Sequence, residues 1–159
     1  MKEKSFLIIR HRKENLKKCS LRGLEKRNDV RFFSYPERTA GGLPPLDSHI
    51  LLDMNGEELS SSDPPRFILI DATWRYATRM LACIKELENC PRRRLPDGWK
   101  TAYPRCQTEC SDPERGLASI EALYVASLIV GTDCPDLLDG YYWKEIFLER
   151  NRELLASLM

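Results

Sequence analysis

The stretch that most limits what this chain can fold into is Phe67-Ile68-Leu69-Ile70-Asp71-Ala72-Thr73-Trp74. Four consecutive apolar residues, two of them β-branched, predict a buried strand. Asp71 closes that strand. Thr73 is placed to cap a following helix, because its hydroxyl can accept from the first free amides. Ala77, Met80, Leu81 and Ile84 recur at helical spacing, so the helix is predicted over 74–87. In open α/β sheets ligands bind outside the carboxyl ends of the strands. Asp71, Thr73 and Trp74 stand at such a place. The same residues also make an ordinary strand-to-helix turn with Asp and Thr as caps, and on their own they fit either reading.

The rest of the chain reads as α/β. Ser5–Arg10, Asp29–Tyr35 and Ser48–Asp53 are predicted strands, and 92–95 a short one. Asn55-Gly56 is a strong turn signal. Glu57–Leu59 reads as a short strand or a helical turn. Pro96-Asp97-Gly98 predicts a turn, and Trp99–Tyr103 a short extended segment. Asp112-Pro113 predicts a helix start, with Gly131 placed to end that helix just after Val130. Its stripe of Ser119, Ala122 and Ala126 suits close approach, either of a strand or of a ligand. From Cys134 onward a last amphipathic helix is predicted, with Leu138, Tyr142, Ile146 and Leu154 facing inward. At 159 residues and 42% hydrophobic content the chain fits one domain with a real core. Its longest apolar run, Leu123–Val130, is far short of the ~20 residues of a membrane span. The start of the chain lacks the pattern of a secretory signal. A cytoplasmic monomer with no membrane contact is therefore expected.

Function classes narrow by what the residues allow. The six cysteines include no C-x-x-C pair, and no histidine follows Cys106 and Cys110. No metal site is expected, and reduced thiols are. No dinucleotide fingerprint, P-loop or nucleophile elbow is present. The net charge is only +1 but it is segregated: residues 1–38 hold twelve Lys or Arg against five Asp or Glu. Residues 91–105 hold five basic residues, Arg92-Arg93-Arg94 among them, against Asp97 alone. Such a surface suits a phosphate-rich partner, though scattered cations also simply solvate a surface. The polar groups left for chemistry are Asp71, Thr73, Ser20 and Glu121. Glu121 lies in an otherwise apolar helix, where a buried carboxylate needs hydrogen-bond partners, and a loop anchor is the favoured role. Trp74 could stack on a flat ring or pack in the core.

Several segments carry a resemblance. Lys17-Lys18-Cys19-Ser20-Leu21-Arg22-Gly23-Leu24 resembles the K-K-C-T-G-x-x-L stretch of the ribosome-biogenesis aminocarboxypropyltransferases. Leu59-Ser60-Ser61-Ser62-Asp63 resembles their L-S-P-x-D segment. Asp71-Ala72-Thr73-Trp74 resembles their D-x-S/T-W and the D-x-T-W signature of the related DTW-domain proteins. Arg94-Leu95-Pro96, Ala102-Tyr103-Pro104 and Leu117-Ala118-Ser119-Ile120-Glu121-Ala122 are similar to further elements, in the family's order. Ala118 stands where the family's last motif has serine.

The resemblance implies a SPOUT-like knotted α/β domain, with a small N-terminal α/β portion over 1–65 and a C-terminal portion over 66–159 in one compact unit. It implies S-adenosylmethionine as cofactor and transfer of its 3-amino-3-carboxypropyl group to a uridine-type base in RNA, with ribosomal RNA as the first target and transfer RNA as the alternative. Leu52, Trp74, Leu95, Leu117 and Ala122 would form the adenosyl slot, with Thr73 and Ser119 beside it. Ser20 would hold the methionine end, and Asp71 would accept or steer the base proton. Lys17, Lys18, Arg22, Arg92, Arg93 and Arg94 would meet RNA phosphates. An RNA methyltransferase of the same fold, or an RNA-binding assembly factor, remains open.

Overall fold

The computed structural model describes residues 4–11, 20–21, 23–36, 43–46, 48–72, 74–103, 117–132 and 134–158. Five strands, β1 (Ser5–His11), β2 (Val30–Tyr35), β3 (Ile50–Glu58), β4 (Arg66–Asp71) and β5 (Arg92–Arg94), form one sheet in the order β2-β1-β4-β3-β5. Every pairing is parallel. A parallel sheet needs cover on both faces, which is why β1 and β4 read as unbroken apolar runs. Alternate residues divide between two cores. Phe6, Ile8, Phe67 and Leu69 pack with helix α2 (Ser119–Ile129) and with Phe147 of α3 (Lys144–Arg150). Leu7, Ile9 and Ile68 pack on the other face with Met80 of α1 (Trp74–Cys83). Because β4 lies between β1 and β3, residues on either side of 65–66 share this sheet. The implied knot depends on the path of 104–116, which lies outside the described residues.

Four expectations change. α1 ends at Cys83 rather than near Leu87. The β-branched Ile84 is extended (φ −89°, ψ 100°), and a 3-10 turn over Lys85–Leu87 still brings Leu87 into the core. α2 begins at Ser119, not after Pro113, because Ala118 is already extended (φ −65°, ψ 156°). Asp112-Pro113 itself lies outside the described residues. The far end of α2 is as expected. Gly131 has φ +81°, its N–H donates to Leu128 O, and Thr132 N–H donates to Ser127 O.

The predicted last helix is broken into a 3-10 turn over Pro135–Leu138, then α3, then α4 (Arg152–Leu158). The non-helical stretch 139–143 interrupts the helical spacing, so Tyr141 and Phe147 are buried while Tyr142 is 86% and Ile146 42% exposed. Leu138 is buried as expected.

Asn55-Gly56 is not a turn between elements but lies inside β3. Leu52 and Glu57 both face Arg93 of β5, so Asp53–Gly56 bulges out of an otherwise continuous β3. A Cβ on Gly56 would lie 2.4 Å from the Arg92 carbonyl carbon and 2.6 Å from Arg93 N. Gly56→Ala should therefore push β3 from β5 and cost ~1–3 kcal/mol, the range for overpacking. Urea unfolding measures this. An unmoved midpoint would mean that the bulge does not bear on β5. Among the described residues Cys83, Cys90 and Cys134 are free thiols, and no helix is long and apolar enough to cross a membrane.

Candidate active site

The sheet order creates a switch point. From β1 the chain moves outward to β2, whereas from β4 it moves the other way, through α1, to β5. The carboxyl ends of β1 and β4 therefore flank the place where ligands collect in open α/β sheets. Arg10 and Asp71 face each other there in register. Arg10 Nε donates to Asp71 Oδ2 at 3.0 Å, and the guanidinium lies 4.5 Å over the Phe32 ring of β2. Ser119 Oγ donates to Asp71 Oδ1 at 3.3 Å. Asp71 is thus tied to β1 on one side and to the first turn of α2 on the other. His11, the next residue of β1, stacks on Tyr76 of α1 with ring centroids 4.1 Å apart.

The N-terminus of α2 is assembled from distant parts. Its N-cap, Ala118, has no side-chain acceptor. Ser20 accepts from Ile120 N at 3.2 Å in its place, from a hundred residues away. Glu121, fully buried, accepts four hydrogen bonds. Its Oε1 takes Thr101 Oγ1 (2.6 Å) and Ala118 N (2.8 Å), and its Oε2 takes Ala102 N (2.9 Å) and the Tyr141 hydroxyl (2.9 Å). The expected loop anchor is what the carboxylate is. Asn151, also buried, brackets the same loop by accepting from Lys100 N and donating to Lys100 O.

Beside this anchored turn lies a cavity of about 420 Å³ between the bulge of β3 and the carboxyl end of β5. Leu52, Leu95, Leu117 and Ala122, four residues of the expected adenosyl slot, line it together. Leu69 and Trp99 add apolar wall, and the bulge contributes Asp53, Met54 and Asn55. Asp53 is held by Arg92 Nη1 at 2.9 Å. The arginine run is divided by the pleat of β5. Arg92 braces the bulge, Arg93 pairs with Asp63 at 3.3 Å and lines the cavity, and Arg94 lines it too, its side chain making no hydrogen bond or ion pair among the described residues. Ser20, Ser119 and Asp71 do not line this cavity but hold the helix turn that does. Trp74 opens α1. Thr73, Lys17, Lys18 and Arg22 lie outside the described residues. Sequence reasoning passed over Arg10, Asn151 and the bulge. Arg10 had a signal, since it closes one apolar strand as Asp71 closes another, with opposite charge.

A model of the DTW domain matches residues 1–142. The chain belongs to the DTW domain family. In this DTW domain the signature spans the switch point, with Asp71 ending β4 and Trp74 beginning α1. Its fold is similar to that of the SAM-dependent rRNA:acp-transferase Tsr3 from Vulcanisaeta distributa, with a TM-score of 0.72 and 22% identity over 97% of this chain and 82% of that one. The expected α/β class holds, and the parallel sheet with its flanking helices is the fold of that structure. None of the curated proteins matches the chain.

Proposed function

We propose that this DTW domain transfers the 3-amino-3-carboxypropyl group of S-adenosylmethionine to a uridine-type base in RNA, with ribosomal RNA as the target. The observation that carries the reading is the cavity where Leu52, Leu95, Leu117 and Ala122 meet, one helix turn from Asp71. The residues fit the cofactor. The volume suits a ligand of that size, the wall is mainly apolar, and a few polar groups converge on it. When bound, the cofactor would supply an electrophilic carbon next to a sulfonium, and methylthioadenosine would leave as that carbon–sulfur bond is exchanged for the bond to the base. The protein supplies placement, because which carbon faces the base decides the product.

Leu52, Leu95, Leu117 and Ala122 grip the adenosyl part and exclude water. Ser20 still has its hydroxyl proton after accepting from Ile120, and would hold the methionine end of the cofactor with it. Asp71 receives or steers the ring N–H of the base. Arg94, together with Lys17, Lys18 and Arg22, meets RNA phosphates. Arg92 and Arg93 first shape the cavity and its strand. Ribosomal RNA is favoured because the stretch 17–24 resembles the ribosome-biogenesis branch, and the Tsr3 structure is described as that of an rRNA transferase.

The test uses two labels. S-adenosylmethionine labelled in the carboxypropyl chain should pass its label to ribosomal RNA, and cofactor labelled in the methyl group should not. Methyl label in the RNA would make the protein a methyltransferase. No label from either, with RNA still bound, would make it an assembly factor. Transfer to tRNA alone would move the target.

A further inference from the structure

The switch point holds a guanidinium that the proposed reaction does not use. The Arg10 side chain is only 12% exposed, and its plane is fixed by three groups on different elements. Phe32 of β2 lies beneath it, Asp71 of β4 takes its Nε, and Glu25 stands 3.7 Å from Nη1. With Oδ2 of Asp71 held by Arg10, Oδ1 is turned to Ser119, the first residue of α2. That same turn receives Ser20, and it carries Leu117 and Ala122 into the cavity.

We propose that Arg10 is the positioning residue of this site: it fixes Asp71 and, through Asp71 and Ser119, the turn of α2 that forms the cavity wall. A lysine cannot do the same. Its ammonium carries the charge but has no plane to lay on Phe32 and no fixed donor in line with the carboxylate. The chain β1–Arg10–Asp71–Ser119–α2 thus joins the two sides of the site, and the ligand cavity depends on a residue that does not touch it.

Arg10→Lys keeps the charge beside Asp71, so it tests geometry rather than ion pairing. Amide hydrogen exchange of the unliganded protein should quicken by about tenfold or more in the first turn of α2, with core amides of β1 unchanged. Affinity for S-adenosylmethionine by calorimetry should fall about tenfold, the size of one lost charge-assisted hydrogen bond. Arg27→Lys is the control. It alters a guanidinium paired with Asp29 and Asp136 away from the site, and should leave both readouts where they were.

If Arg10→Lys does not fold, Arg10→Gln combined with Asp71→Asn removes both charges together and should show the same fast-exchanging turn. Wild-type exchange in the α2 turn of a folded variant would overturn the inference, and so would an equal effect from Arg27→Lys. The affinity arm rests on the function proposed above, whereas the exchange arm does not. Wild-type protein that binds no S-adenosylmethionine would sink that function and leave the Arg10 result readable.

Discussion

Asp71→Asn should leave S-adenosylmethionine bound and lower single-turnover transfer to RNA by ~10²–10⁴-fold, the range for a lost general base. The substitution suits the site because asparagine can keep both neighbours. Its oxygen can face Arg10 Nε and its NH₂ can face Ser119 Oγ, which is able to accept. Shape and hydrogen bonds survive, and the negative charge alone is removed. Arg10 then loses one carboxylate partner but still has Glu25 nearby and Phe32 beneath it, so a modest fall in melting temperature is expected. The measurements are single-turnover transfer, cofactor calorimetry and a thermal melt on the same preparation. A D71N protein that transfers at the wild-type rate would reduce Asp71 to a cross-link between β1, β4 and α2.

Glu121→Ala should cost several kcal/mol of stability, since each buried donor left unsatisfied costs ~1–3 kcal/mol. It would leave Thr101, Ala102, Ala118 and Tyr141 donating into an empty space inside the core. Glu121→Gln is the more telling change. The two hydroxyls can rotate to suit an amide, but Ala118 N–H and Ala102 N–H cannot, and each faces a different oxygen. Whichever way the amide lies, one backbone N–H meets an NH₂. The cost should be ~1–3 kcal/mol, that of one unsatisfied buried donor. Chemical denaturation of both variants reads it. A Gln variant as stable as wild type would show that the carboxylate is not the anchor of residues 101–102.

What could be read from the chain follows from how far each residue's partners lie. β1 and β4 were legible because a parallel sheet buried on both faces leaves a continuous apolar run in the local sequence. The end of α2 was legible because Gly131 closes it with its own neighbours. The start of α2 was not, since Ser20 caps it from across the chain and Glu121 pulls its first turn toward Thr101 and Tyr141. Asn55-Gly56 read as a turn, but what Gly56 supplies is a missing Cβ that lets β3 lie close against β5. The slot residues Leu52, Leu95, Leu117 and Ala122 come from three separate stretches, and only the family motifs linked them before the fold did. Asn151 was hidden in an amphipathic pattern whose spacing the stretch 139–143 interrupts.

β5 has a second consequence. A sheet of apolar parallel strands is prone to recruit further strands wherever an edge is left open, and β2 and β5 are its outermost strands among the described residues. β5 is only three residues long, and all three are arginine. Arg93 Nη1 folds back to donate to the carbonyl of Arg92, which holds that side chain against its own strand. A second chain would have to bring its backbone against bulky, like-charged side chains to extend the sheet there. The arginine triplet thereby works against extension of the sheet at this end.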